Sequence, residues 1–278
     1  MTTVFIPRDS AALSVGADEV AKAFAQASKG QDVTIVRTGS RGMLWLEPLV
    51  EVQTDKGRVG YANVSANDVA ALISNGALEG KNSIGVVDEL EWLTKQQRIT
   101  FARVGIINPV SVADYEAHGG LVGLRNALAM SGEAVVDAVT ESGLRGRGGA
   151  GFPAGIKWKT VLNAQSDQKY ICCNADEGDS GTFADRMLME GDPMTLIEGM
   201  VIAGIAVGAT RGYIYCRSEY PHAIETMNEA IDVCLAAGVL GNDVLGSGKE
   251  FHLEVRSGAG SYVCGEETAM LESLEGKR

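Results

Sequence analysis

The sequence predicts an α/β protein whose larger part is built on a parallel sheet. Three observations carry that expectation. Beyond about residue 131, short β-branched and aromatic runs alternate with stretches of helical periodicity, the order a parallel α/β sheet requires. Hydrophobic residues make up 45% of the chain and charged residues 22%, the balance of a folded core under a wetted surface. Cap and turn signals such as Asp55-Lys56-Gly57, Gly143 and Asp192-Pro193 fall between the runs rather than inside them. A length of 278 residues suits one large domain or two ordinary ones.

Residues 1–85 read as a small α/β unit. A helix is expected over 17–28, with Val20, Phe24 and Ala27 on one face. VTIVR at 33–37 is a strand, and PLVEVQT and RVGYANV are two more about the turn at Asp55-Lys56-Gly57. Ser65-Ala66-Asn67-Asp68 resembles a capping box opening a helix that runs to Asn75-Gly76. Residues 86–130 read as a connecting segment in which LEWLTKQQ and DYEAHGGLVGLRNALA are helical. Residues 131–278 alternate. A helix over 132–142 stops at Gly143, a natural C′ residue, and another follows a glycine-rich loop near 155–165. KYICCN is a strand, and Asp192-Pro193 starts a helix with Asp at the N-cap and Pro at N1. RGYIYCR, PHAIETMNEAIDVCLAAG, FHLEVRSG and GEETAMLESLEG then read as strand, helix, strand and helix.

Charge and composition exclude several classes. A formal net charge of -12 argues against nucleic acid bound through its phosphates and against an anionic membrane surface. The most apolar run, residues 196–209, is shorter than the roughly 20 residues of a spanning helix and is interrupted by Glu198, so it reads as a buried helix. MTTVFIPRDS has neither a basic n-region nor a long apolar h-region. Cys172, Cys173, Cys216, Cys234 and Cys264 form no C-x-x-C pair and no compact metal-ligand spacing, so no metal site is expected of them. Their odd number suggests reduced packing residues and a cytoplasmic protein.

Residues 143–155, GLRGRGGAGFPAG, combine backbone freedom with positive charge. Gly146 to Gly151 match G-x-G-x-x-G, but a helix precedes them where the dinucleotide fingerprint needs a strand, and the Walker Gly-Lys-Ser/Thr is missing. Glycines nevertheless let main-chain amides converge on an anion, the following helix adds positive dipole, and Arg147 and Lys157 add full charge. The competing reading is a tight connector with solvated arginines. Two acidic loops follow strands. CCNADEGDSGTF carries Asn174, Asp176, Glu177 and Asp179 beyond a strand end, where ligands of parallel sheets sit. GAGSYVCGEETAM places three glycines before Glu266 and Glu267. Each also has a plainer account, a solvated turn in the first case and acids favoured by a helix dipole in the second. His118, His222 and His252 lie outside all three loops, which argues against acyl transfer and leaves no catalytic acid or base to name. Hydride transfer through a cofactor needs none.

Taken together, RGRGGAGFPAGIKW, NADEGDSGTFADR and SGAGSYVCGEETAMLESLEG resemble the FMN- and NADH-binding (51 kDa-type) subunit of respiratory complex I and its soluble diaphorase relatives, over roughly residues 98–278. RITFARVGIINPVSVADYEAHGG and the layout are most similar to the beta subunit of soluble NAD-dependent molybdenum formate dehydrogenases. The resemblance implies a Rossmann-like FMN/NADH-binding domain in which FMN exchanges a hydride with NAD(H) and single electrons with iron–sulfur clusters. It assigns Gly146, Arg147, Gly148 and Lys157 to holding FMN. Asn174, Asp176 and Glu177 would line its ring and ribityl chain, and Gly265, Glu266 and Glu267 would close the site. Phe152 would face the adenine of NADH, and Asp179, Tyr262 and Glu267 its ribose and nicotinamide. Thr160 stands where complex I relatives often carry a second aromatic.

TGSRGMLWLEPLVEV resembles a thioredoxin-like ferredoxin domain whose pattern has cysteines at the positions of Ser40 and Leu44. No cysteine precedes Cys172, so this module is expected to lack its 2Fe-2S cluster. Family members continue past Gly276 to a domain that ligates a 4Fe-4S cluster, so this chain is expected to be the front portion of a longer subunit without those ligands. The implied partners are a small 2Fe-2S (gamma) subunit and a catalytic molybdenum-containing alpha subunit. The alternatives are a diaphorase of an NAD-linked hydrogenase or of complex I, a non-redox nucleotide-binding module, and a scaffold without cofactor.

Overall fold

The computed structural model describes residues 1–179 and 181–277. They form two compact units, one of residues 1–109 with 187–192 and one of residues 110–179, 181–186 and 193–277. The stretch 86–130, which reads in sequence as a connection, contributes to both.

The first unit begins with a strand that no sequence signal marks, β1 (Thr2–Pro7), followed by the short helix α1 (Ser10–Leu13) and by α2 (Ala17–Ala27). Next come β2 (Val33–Thr38), β3 (Val50–Thr54), β4 (Gly57–Tyr61), α3 (Val69–Ser74) and α4 (Glu91–Thr94). The strand order is β2-β1-β3-β4, with β1 parallel to β2 and antiparallel to β3, which in turn is antiparallel to β4. This is the order and polarity of the thioredoxin-like fold. The core joins Val4 and Ile6 of β1 and Val50 and Val52 of β3 to Val20, Ala21 and Phe24 of α2. Ala27 does not share that face, because it is exposed. The buried stripe runs through Ala17, Val20, Ala21, Phe24 and Ser28, the i+3/i+4 row that an α-helix presents.

Where the ferredoxin pattern has its cysteines, the chain has other chemistry. Ser40 is buried, and its Oγ donates to Glu47 Oε1 at 2.7 Å and accepts from the Gly42 amide at 3.0 Å. Leu44 opens a 3-10 turn and is 42% exposed. Beside them, the buried Arg41 guanidinium grips both oxygens of Glu51 at 2.9 and 2.8 Å and Asp88 at 2.8 Å. Burial pushes the Glu47 carboxyl up to about 7; the Ser40 hydroxyl and Leu49 amide pull it down, while Asp9 and Glu51 push it up.

A folded-state value raised above the ordinary 4.5 means that the folded form binds the proton more tightly than the unfolded form. Stability is therefore largest below about pH 4.5 for this group, falls through the window up to about 7, and is level above it. Glu47→Gln, which can still accept from the Leu49 amide and donate to Ser40, should remove this contribution. Thermal melts from pH 5 to 8 should show a flatter profile and a gain on the order of 2 kcal/mol at pH 8. An unaltered profile would contradict the assignment.

The second unit contains α5 (Val112–Ala117), α6 (Val122–Leu128), α7 (Gly132–Glu141), α8 (Ala154–Asn163) and β5 (Tyr170–Ala175). The helix α9 (Ala184–Gly191), which the sequence pattern does not announce, has its last residues within the first unit. Then follow α10 (Pro193–Val207), β6 (Arg211–Cys216), α11 (Pro221–Ala236), β7 (His252–Ser257) and α12 (Glu267–Leu274). The segment 114–129 is two helices, not one, because the chain turns at Gly119, which has φ +83°, and Gly120. At Gly120 a Cβ would fall 2.2 Å from the Tyr115 ring, so only glycine permits that approach. β5, β6 and β7 lie in that order and are all parallel. α10 is buried along most of its length, and its Ala206 and Val207 join Val135 and Val136 of α7 in one cluster. Among the described residues no helix is long and apolar enough to cross a membrane. The cysteines are free thiols, and burial pushes Cys173 and Cys234 up to about 12.

Candidate functional site

Parallel pairing brings the ends of three strands side by side. Ala175 of β5 pairs with Cys216 of β6, and Cys216 with Ser257 of β7. The loops that follow therefore leave one edge of the sheet, the carboxyl edge at which ligands of open α/β sheets bind. Two of them are the acidic loops.

The glycine loop is a small hairpin. Arg145 bridges Pro153, the Gly146 amide donates to the Phe152 carbonyl at 2.9 Å, and the Ala154 amide to the Leu144 carbonyl at 2.9 Å. Residues 147–151 form its tip. Gly149 and Gly151 have φ of +100° and +61°, conformations that L side chains rarely adopt. Gly148 has no positive φ, and a Cβ there would meet nothing within 4 Å. Neither its φ nor the packing around it calls for glycine at that position. The loop leads into α8, whose N-terminus no side chain caps; its first amide, that of Ala154, is taken by the Leu144 carbonyl, which leaves those after it to an anion. Among the described residues, no hydrogen bond or ion pair holds the Arg147 guanidinium, and Arg147, Gly148 and Phe152 are all exposed. Lys157, in the first turn of α8, meets both oxygens of Glu267 at 3.1 and 3.0 Å. That pair joins the first motif to the third across 110 positions of sequence.

Asn174, near the end of β5, joins the second motif to the third, since its Nδ2 donates to the Gly265 carbonyl at 2.8 Å. Its Oδ1 accepts from the Asp176 amide at 3.2 Å. Gly178 lies under the Tyr262 ring, where a Cβ would come within 2.9 Å of it. A cavity of about 450 Å³ opens between these loops, lined by Asp176, Gly178, Asp179, Tyr262, Gly265 and Glu266 together with Val263. Burial pushes the Asp176 carboxyl up, Arg217 pulls it down, and Glu219 pushes it up. Asp179 is exposed and accepts from the Thr182 hydroxyl at 2.8 Å.

Two of the acids serve the fold. Glu177 is buried, and its carboxylate accepts from the amides of Ala184, Asp185 and Arg186 at 2.6, 3.1 and 3.3 Å, closing the N-terminus of α9. It also accepts from the Tyr220 hydroxyl at 3.1 Å. Glu266 is the N-cap of α12, and the amides of Thr268 and Ala269 hold its carboxyl below the usual range. Thus Lys157, Asn174, Asp176, Asp179, Tyr262, Gly265, Glu266 and Glu267 are linked by contacts or by the cavity. Arg147 and Gly148 stand on the loop tip and Phe152 just beyond it, all three outside the cavity lining.

The turn after β6 belongs to the same edge, although no motif marks it. There Arg217 donates to the Glu177 carbonyl, and Tyr220 to the Glu177 carboxylate. Burial, together with Glu177, pushes the Tyr220 hydroxyl up to about 12. The signal available in the sequence is positional: in a sheet of three parallel strands, the turn after the central one also opens on the carboxyl edge.

A glycine tip carrying Arg147, unpaired among the described residues, and joined through Lys157 to an acidic loop on the carboxyl edge of a parallel sheet, is an arrangement that suits a phosphate-bearing nucleotide or flavin in an α/β domain. The chain belongs to the Nuo51 FMN-binding domain family, which matches residues 139–278. It is 53% identical over 184 residues to the NADP-reducing hydrogenase subunit HndC of Solidesulfovibrio fructosivorans, covering 66% of this chain and 37% of that protein. It is 54% identical over 168 residues to an NADH-quinone oxidoreductase subunit of Rhizobium meliloti (strain 1021), covering 60% of this chain and 40% of that one. Among solved structures, it is similar to a chain of an NAD+-reducing [NiFe]-hydrogenase in the H2-reduced state, with a TM-score of 0.52 and 27% identity over 99% of this chain and 46% of that chain. The chain thus spans less than half the length of these relatives.

Proposed function

We propose that this chain is the FMN- and NAD(H)-binding portion of a diaphorase subunit in a cytoplasmic NAD-dependent formate dehydrogenase. The observation that carries the flavin reading is Gly148, a glycine that neither φ nor packing explains, at the tip of a loop leading to an uncapped helix. FMN, when bound, supplies hydride exchange with nicotinamide and one-electron exchange with iron–sulfur carriers. Amides of the glycine tip, with Arg147 and Lys157, would hold its phosphate. Asn174 and Asp176 would orient the ring and ribityl chain, and Gly265 with Glu266 would border it. Phe152 would offer a face to adenine, while Asp179, Tyr262 and Glu267 would meet ribose and nicotinamide. The carboxylates around the cavity would repel a 2′-phosphate, which favours NAD. The small 2Fe-2S gamma subunit and the molybdenum-containing alpha subunit are the proposed partners. Likeness to a hydrogenase subunit supports a second reading, in which the same portion serves an NAD(P)-linked hydrogenase.

Reconstitution of the full chain with FMN should give a yellow protein whose flavin NADH bleaches. A chain that takes up no flavin, with its intact partners present, would reject the proposal. Co-purified subunits separate the two donors, a molybdenum protein for formate and a nickel–iron or iron protein for hydrogen.

The Lys157–Glu267 pair sets a further expectation. Both side chains are more than half exposed, so the pair contributes less than about 1 kcal/mol to stability. It does hold the cation that a phosphate would recruit. Glu267→Gln should leave the melting temperature in place and tighten FMN by about threefold at low salt, the gain shrinking as salt rises. Equal or weaker FMN binding in a fluorescence titration would contradict that competition.

A further inference from the structure

None of the three loops that stand out in the sequence includes the turn after β6, yet that turn holds one of them. Arg217 directly follows the central strand of the sheet. Its Nη1 donates to the carbonyl oxygen of Glu177, and its own amide donates to the Ala175 carbonyl at 3.3 Å. Nε and Nη2 meet the Glu219 carboxylate at 3.3 and 3.2 Å, and the guanidinium lies 4.9 Å from the centre of the Tyr220 ring. Carboxylate and ring thus brace a planar fork whose remaining edge points at the main chain between Asp176 and Gly178.

We infer that Arg217 is a positioning residue: by gripping the Glu177 carbonyl it keeps Asp176 and Gly178 facing the cavity, and flavin affinity depends on that grip. This rests on the flavin reading of the site. The loop needs such a hold. Gly178 gives its backbone wide freedom, and although the Glu177 carboxylate is anchored at the start of α9 and by Tyr220, among the described residues few other hydrogen bonds reach the main chain of the loop itself: the Asp176 amide to Asn174 Oδ1 at 3.2 Å and the Thr182 amide to the Asp179 carbonyl at 3.3 Å. The guanidinium charge also reaches the cavity lining, because it pulls the Asp176 carboxyl down against the effect of burial. Lysine is a poor substitute, since one ammonium cannot serve the carbonyl and Glu219 in the fixed geometry of a fork.

Two measurements on the full chain test this. Amide hydrogen exchange is followed in residues 174–179 without ligand, and FMN affinity is read by quenching of flavin fluorescence. Arg217→Gln should raise exchange in 174–179 while the rest of its unit stays as in the wild type, and should weaken FMN by about tenfold. Arg217→Lys should fall between the two. Unaltered exchange in that segment overturns the inference, and so does a uniform rise throughout the unit or an unchanged FMN affinity. If the wild type itself takes up no FMN, the flavin reading fails, and the exchange arm still decides whether Arg217 holds the loop. Should Arg217→Gln not fold, Glu219→Gln removes the brace and leaves the bond to Glu177. A smaller rise in the same segment is then expected, and no rise overturns the inference.

Discussion

Gly148→Leu should abolish retention of FMN while leaving the protein at least as stable as before. A Cβ at Gly148 meets nothing within 4 Å, so the fold has room for the new side chain. Its φ is not among the positive values, so the backbone is not strained by the substitution. Loss of glycine from a loop also restricts the unfolded chain, which stabilises by up to about 1 kcal/mol. A ligand resting its phosphate on the tip amides meets the leucine at once. A loss of at least about a hundredfold in affinity corresponds to roughly 2.7 kcal/mol, a modest demand for a steric block. Gly155→Ala is the contrasting case. There a Cβ would lie 2.3 Å from Thr140 Oγ1 and 2.6 Å from its Cα, so α8 must move off α7. Stability and FMN should then fall together, by on the order of 2 kcal/mol for the former. Fluorescence titration beside thermal unfolding measures both. If Gly148→Leu keeps wild-type FMN affinity, the tip does not hold the cofactor.

The alternation of the second unit is legible in the sequence because each element there carries its own start or stop. Asp192-Pro193 opens α10, and Gly143, with φ +68°, closes α7. The glycine and acid clusters stand out for the same reason, since composition marks them locally. What cannot be read depends on distant partners. β1 looks like a short apolar run after the first residue, and its place beside both β2 and β3 follows only from the sheet. The N-terminus of α9 is closed by Glu177, which lies 7 positions before the Ala184 amide it accepts from, so no cap signal adjoins it. The same residue shows why a list of acids is not yet a site. Glu177 and Asp176 are neighbours in sequence and alike in chemistry, but one carboxylate closes a helix while the other borders the cavity. Arg217 is hidden in the same way, because its role is defined by the carbonyl it holds 40 positions away.

Glu198→Ala should be the most destabilising of the substitutions considered. Glu198 sits within α10 and is buried, and its carboxylate replaces three separate local bonds. Oε2 accepts from the Tyr115 hydroxyl at 2.5 Å and from the Leu121 amide at 2.9 Å, and Oε1 accepts from the Leu124 amide at 2.8 Å. Leu121 is the N-cap of α6 with φ +62°, and its own side chain cannot cap the helix. The carboxylate of α10 does so instead, and that requires a close approach. A Cβ at Gly123 would stand 3.1 Å from Glu198 Oε1. Alanine at 198 removes the acceptor that a buried hydroxyl and two buried amides share, each loss costing about 1–3 kcal/mol, and opens a small void. A loss of roughly 3–4 kcal/mol is expected, since part of the void can collapse or admit water. Tyr115→Phe removes one donor and leaves the carboxylate its two amides, so it should cost only about 1 kcal/mol. Glu198→Gln keeps the shape but can no longer accept at all three donors, and should fall between. Chemical denaturation of the three variants gives the ranking. A loss below about 1 kcal/mol for Glu198→Ala would mean that α6 finds its cap elsewhere, and that the acid interrupting the most apolar run of the chain is merely tolerated there.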